Sequence, residues 1–256
     1  MKSFVALFGK EWMEQVRAGR VTLLGICFFL LGIMNPAVAK MTPWLLEMMA
    51  ESLAESGMSV TEVTVDVMTS WVQFFKNIPM GLILFLVLES SLFTKEVQSG
   101  TLILSLARGV PRSAVVWSKT GILLLLWSAC FWMCYGVTYG YNEYFWGNES
   151  VVGEGFSAVC WWIFGLWCVT LLIFFSSLSK TNTAVLVGCG GMVLLAYLLT
   201  LFRASKDYTP VKLVEGVGMM SAELKCAEYW SAIGICLGLS VLCLAVSVPI
   251  WNRKQL

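Results

Sequence analysis

Histidine is absent from the 256-residue chain, and charged residues make up only 13% of it. The first absence removes the commonest general base and metal ligand. The second removes a soluble fold, because an ordinary soluble domain is about a quarter charged. No Cys-x-x-Cys pair occurs, so the nine cysteines support neither a zinc site nor a redox motif. All but Cys226 lie inside apolar runs, where a free cysteine serves as a small hydrophobe. The thirteen methionines form no tight array, and no metal site is expected. A net charge of +1 with no basic run of five or more gives nucleic acid nothing to hold, so none is expected as a partner.

What is present is apolar: 58% of the residues are hydrophobic. A helix needs about 20 such residues to cross the hydrocarbon core. Six stretches qualify, at 21–39, 74–93, 120–139, 156–178, 183–202 and 229–251. The second is the least apolar, opening on Lys76, Asn77 and Pro79 and holding Glu89. The first follows a leader containing Glu11 and Glu14 and has no small-residue cleavage site after it, so it reads as an anchor.

Lysine and arginine mark the cytoplasmic side of a membrane protein. With the N-terminus inside, only Lys40, Lys76, Arg203, Lys206, Lys212 and Lys225 of the 17 basic residues fall outside. The acids run the other way: apart from Glu89, only Glu11, Glu14 and Glu96 fall inside. An even number of spans then places both termini in the cytoplasm of a multi-pass cell-membrane protein.

The connecting pieces carry their own patterns. In residues 1–20, Phe4, Leu7, Phe8, Trp12 and Val16 recur at helical spacing, with Lys10, Glu14 and Arg17 opposite. This predicts a helix lying in the membrane interface with its aromatics in the acyl boundary. In 40–73, Glu47, Glu51 and Glu55 recur every fourth residue, which predicts an amphipathic outer helix with one acidic stripe. In 203–228, Pro210, Gly216 and Gly218 interrupt short apolar runs. That pattern predicts short helices dipping into the outer leaflet, where irregular backbone survives only under cover of protein or water. The four-residue turn at 179–182 makes the fourth and fifth spans an antiparallel hairpin. In the fifth, Gly188-Cys189-Gly190-Gly191 offers a small-residue face for close helix contact.

The loop at 94–119 says most. Gly100 is expected to break the helix leaving the second span, residues 101–107 can form a short leucine-rich helix, and Gly109-Val110-Pro111 would stop it. A cytoplasmic segment this apolar must sink into the interface or be covered by a partner, and a covering partner is the favoured reading. Glu89, ionisable and inside a span, is expected either to reach the cytoplasmic interface or to line the translocation path or bridge a dimer.

Glu96-x-x-x-Gly100-Thr101, then the leucine stretch, then Pro111-Arg112 and Lys119 opening a span, resembles the permease subunits of type-2 ATP-binding cassette (ABC) exporters. The likeness extends over the whole chain as a single permease domain. It implies an all-α integral membrane protein with an N-terminal interfacial helix, six spans, a cytoplasmic coupling helix and a broken segment before the last span. The family's frequent acidic-basic pair before the glycine is replaced here by Val97-Gln98. The resemblance implies a non-catalytic subunit that binds no cofactor itself, pairs as a homodimer and docks two copies of a separate ATPase carrying ATP and Mg. The absence of a GxxxxGK[ST] loop agrees. Glu96, Gly100, Thr101, Leu104, Leu106, Arg108, Pro111 and Arg112 would form the docking element, with Phe4, Phe8, Trp12 and Val16 packing beside it and Lys119 marking the interface. The implied cargo is a hydrophobic or amphipathic peptide such as a toxin or bacteriocin. The alternatives are drugs, lipids or ions, or else an ATPase-independent membrane protein or intramembrane enzyme. Only Glu89 offers polar chemistry inside a span, which weighs against the last.

Overall fold

The structure is a computed structural model that describes residues 2–55, 65–92, 94, 111–149, 151–202, 205–220 and 226–253. The side chains of 2–5, 45–47, 49–55 and 253 fall outside that description. Among the described residues the regular structure is all helix, with no strand. The sequence expectation of an all-α membrane protein holds, and six helices are long and apolar enough to cross a bilayer.

The chain opens with α1 (Lys2–Arg17), then turns sharply at Gly19, whose φ of 71° lies in the left-handed region glycine tolerates. The six spans are α2 (Arg20–Glu55), α3 (Val67–Glu89), α4 (Arg112–Phe145), α5 (Glu154–Leu178), α6 (Asn182–Leu199) and α8 (Trp230–Arg253). Between α6 and α8 lie two 3-10 turns (Lys206–Tyr208 and Pro210–Val214), the five-residue α7 (Gly216–Met220) and a third 3-10 turn (Cys226–Tyr229). One half of the molecule is α1, α2, α3 and α4; the other is α5, α6, α8 and the broken segment; α3 and α4 meet α5 to join them.

Several helices outrun the apolar stretches that announced them. At about 1.5 Å per residue, α2 is about 54 Å long against a hydrocarbon core of about 30 Å. The first part of the acidic outer segment, through Glu55, therefore continues α2 rather than forming a separate helix. Pro36 and Pro43 do not interrupt it, as proline is tolerated in a span whose neighbours satisfy the freed groups. Helix α3 begins at Val67 instead of 74 because Asp66 caps it, accepting the backbone N–H of Thr69 at 3.1 Å. Lys76 and Asn77 thus lie within α3 rather than at its mouth. Helix α4 begins at Arg112, directly after Pro111, whose extended backbone fits the position before a helix. Residues 112–119 therefore belong to the third span and not to the loop.

In lipid, helices gain little from hydrophobic burial against one another, so close contact and hydrogen bonding decide the arrangement. Small residues set the closest approaches. A Cβ on Gly32 of α2 would stand 2.9 Å from the Cys134 carbonyl of α4, and one on Gly165 of α5 would stand 2.0 Å from Trp127 Cζ2. Trp127, fully buried, donates its indole N–H to the Trp162 carbonyl at 3.2 Å and meets Phe85 edge-on at 5.6 Å. Replacing Gly165 with alanine is expected to cost about 1–3 kcal/mol by overpacking this joint, measured as a lower thermal midpoint of the purified protein. In the fifth span, Gly188 lies under Phe175, with 2.4 Å to an added Cβ, whereas Gly190 and Gly191 face nothing within 4 Å.

The broken segment is held against α5 and α8 by side chains that reach its carbonyls. Trp161 donates to the Val214 carbonyl at 3.2 Å, Ser157 to Gly216 at 3.1 Å, and Tyr229 to Glu215 at 3.3 Å. These bonds satisfy irregular backbone that lipid would leave unpaired. Lys212, nearly buried, pairs with Asp207, and its ammonium holds the Asp207 carboxyl below the usual aspartate range.

Candidate functional site

Helix α1 presents Phe8, Glu11, Trp12 and Gln15 on one face, at the i, i+3, i+4, i+7 spacing of neighbours on a helix. That face is turned to the bundle. Phe8 lies 3.2 Å from where a Cβ on Gly121 would stand, and Glu11 and Gln15 are each only 1% exposed. Sequence periodicity placed Phe4, Leu7, Phe8, Trp12 and Val16 on the membrane side, but two polar residues share the packed face with Phe8 and Trp12. Val16 is 46% exposed and takes no part. Phe4 lies in α1, with its side chain outside the described residues.

Both buried polar groups have partners at the feet of the spans. Lys119, two turns into α4 and fully buried, donates to Glu11 at 2.7 Å and to the Leu92 carbonyl at 3.4 Å. Gln15 donates through its amide nitrogen to Glu89 at 2.6 Å, and Arg20, the first residue of α2, lies 3.6 Å from the same carboxylate oxygen. Arg20 also donates to Ser91, just past α3, at 2.6 Å. Among the described residues each carboxylate thus faces a cation, Glu11 facing Lys119 and Lys10 and Glu89 facing Arg20, so neither acid is left unbalanced. Such balance matters here, because an uncompensated charge in a low-dielectric site is among the costliest features a fold can carry.

The two halves of the molecule are tied at the same end. Thr94, beyond α3, hydrogen-bonds Asn182 at the start of α6. Arg112, at the start of α4, donates to the Asn252 carbonyl near the end of α8 at 3.1 Å. These contacts link α1 to α3 and α4, α2 to α3, α3 to α6, and α4 to α8. They surround the point where the chain leaves at residue 94 and returns at Pro111. Glu96, Gly100, Thr101, Leu104, Leu106 and Arg108 lie outside the described residues. Pro111 is exposed at the foot of α4, and Lys119 is an internal ion-pair member rather than an interface marker.

Glu89 does not reach water. It is 0% exposed, and its second oxygen has no partner among the described residues. Above it, an apolar cavity of about 370 Å³ opens between α3, α5 and α6, lined among others by Leu82, Leu86, Cys168, Cys189 and Val193. The residues that composition and periodicity passed over are Glu11, Gln15, Arg20 and Lys119. A signal was present: two polar residues repeat at four-residue spacing on an otherwise aromatic helix face, and a lone lysine stands against the start of an apolar run.

A family model described as an ABC-2 family transporter protein matches residues 5–206. The chain is also 22% identical over 262 residues to the uncharacterized transmembrane protein YxlG of Bacillus subtilis (strain 168). That match covers 100% of this chain and 98% of the relative.

Proposed function

Because the chain belongs to the ABC-2 family of transporter proteins and is therefore a membrane subunit of an ABC transporter, we propose that it is the permease of an ATP-driven exporter. In this reading it lies in the cell membrane with both termini in the cytoplasm and pairs with a second copy of itself. The pair docks two ATPase subunits through the leucine-rich segment at 101–107. ATP and Mg belong to those subunits, and the chain itself catalyses nothing.

The observation that carries this reading is the arrangement of polar tethers around residues 94–111. A force applied to that segment enters α3 through residue 94 and α4 through Pro111. The tethers pass it to α1, α2, α6 and α8 as well, because buried ion pairs and short hydrogen bonds resist separation. Closure of the ATPase pair on ATP then tilts the spans together. Transport further requires that cargo bind the two tilted states with different affinity.

The proposed cargo is a hydrophobic or amphipathic peptide. The apolar cavity between α3, α5 and α6 suits an apolar chain, and the excess of acids in the outer segments favours release of a cationic one. The test is ATP-driven accumulation of a fluorescent cationic amphipathic peptide inside inside-out proteoliposomes holding permease and ATPase. Accumulation that stops without ATP is the expected result. Movement of a lipid or drug probe in its place would overturn the peptide assignment.

A further inference from the structure

A groove runs along the lipid-facing side of α2 and α4, away from the charge cluster and from the cavity beside α3. Its larger part, about 460 Å³, has Gly136 and Gly140 along its floor, with Phe29, Tyr141 and Tyr144 beside them. Its smaller part, about 250 Å³, shares Tyr141 and continues past Pro36 and Ala37 to Lys40 and Phe145. A Cβ on either glycine would meet nothing within 4 Å, so the floor is open. At the far end the exposed Lys40 ammonium sits 3.8 Å above the centre of the Phe145 ring.

The groove has the dimensions of one leaflet. Phe29 and Lys40 are eleven residues apart on α2, about 16 Å at 1.5 Å per residue, and half the hydrocarbon core is about 15 Å. Arg20 and Lys40 bracket the membrane-crossing part of α2, so Phe29 lies near mid-depth and Lys40 at the surface. An acyl chain reaching mid-bilayer fills this length, and its headgroup then meets Lys40. Glu143, the nearest acid on α4, is turned away, since its carboxylate accepts from the backbone and side chain of Asn148. Among the described residues, the charge at the mouth of the groove is therefore positive.

We propose that this groove holds a phospholipid with an anionic headgroup, one acyl chain lying over Gly136 and Gly140 and the phosphate at Lys40. Glycines four residues apart on a span also suit a second helix. Here the same helical row continues to Tyr144, which is 82% exposed. Its ring stands one turn beyond Gly140, in the way of a helix laid along that row, while a single acyl chain passes beside it.

Native mass spectrometry of the purified full chain, titrated with phosphatidylglycerol or phosphatidylcholine of identical chains, tests the assignment. Phosphatidylglycerol is expected to bind about fivefold more tightly, the effect of one lysine near an anionic headgroup. Lys40→Gln, a surface change that leaves the helices intact, is expected to bring it down to the phosphatidylcholine level. Gly140→Leu is expected to weaken both lipids, with the thermal midpoint reporting that the variant is folded. Equal binding of the two lipids by the parent protein would overturn the proposal, as would a preference that survives Lys40→Gln. Loss of a dimer in Gly140→Leu with lipid binding unchanged would assign the groove to a second copy and overturn it equally.

Discussion

Replacing Lys119 with alanine will destabilise the protein by about 3–5 kcal/mol, the cost of leaving one member of a buried ion pair without its partner. Glu11 is 1% exposed, and its carboxylate lies 2.7 Å from the Lys119 ammonium. Lys10 also approaches Glu11, at 3.4 Å, but is half exposed and screened by water, so it cannot make good the loss. Glu11→Ala will also destabilise the protein, because it removes the 2.7 Å contact to the buried Lys119 ammonium. The double variant Glu11→Leu/Lys119→Met behaves differently. Apolar residues of similar volume often replace a buried pair at no loss of stability, so its thermal midpoint should return most of the way to the parent value. Transport should not return with it, because α1 has then lost the ion pair that fastens it to α4. If Lys119→Ala proves as stable as the parent, the pair is not the buried contact described here. If the double variant transports normally, α1 is not part of the moving unit.

Leu104→Glu combined with Leu106→Glu will remove the ATPase from the complex while leaving the six spans in the membrane. Both leucines lie in the apolar loop that connects the second and third spans, outside the described residues. A carboxylate pressed into an apolar groove loses its hydration and gains no partner. An interface of this kind rests on a few anchors, so loss of even one is expected to lower recovered ATPase about thirtyfold. Membrane insertion is checked by alkaline extraction, and docking by co-purification of the ATPase on a tagged permease. Undiminished recovery in the double variant would show that docking lies elsewhere on the cytoplasmic face.

The parts of the molecule that lipid dictates were legible from composition. Six apolar runs announce six spans, and the short turn at 179–182 yields the hairpin of α5 and α6, because the bilayer allows little else. Helix ends were less legible, since they obey capping rather than hydropathy. Asp66 starts α3 seven residues before its apolar run, and Pro111 starts α4 eight residues before its own. The ion-pair cluster was least legible. Glu11 and Lys119 are separated by 108 residues, and each alone resembles an ordinary charge near a membrane surface. Their meaning comes from the turn at Gly19, which lays α1 across the feet of α3 and α4. Periodicity found the right face of α1 through Phe8 and Trp12 but counted only apolar residues, since an apolar scale scores Glu11 and Gln15 as solvent-facing.

The most direct measurement is the mass of the intact complex that a tagged copy of this chain draws from its own host membranes, with ATP hydrolysis assayed on the same material. The expected result is two permease chains with two copies of an ATPase, and hydrolysis that disappears when the leucine loop is charged. Recovery of the chain without any ATPase, from membranes in which its transport activity is intact, would contradict the proposal that a nucleotide-driven motor sits beneath it.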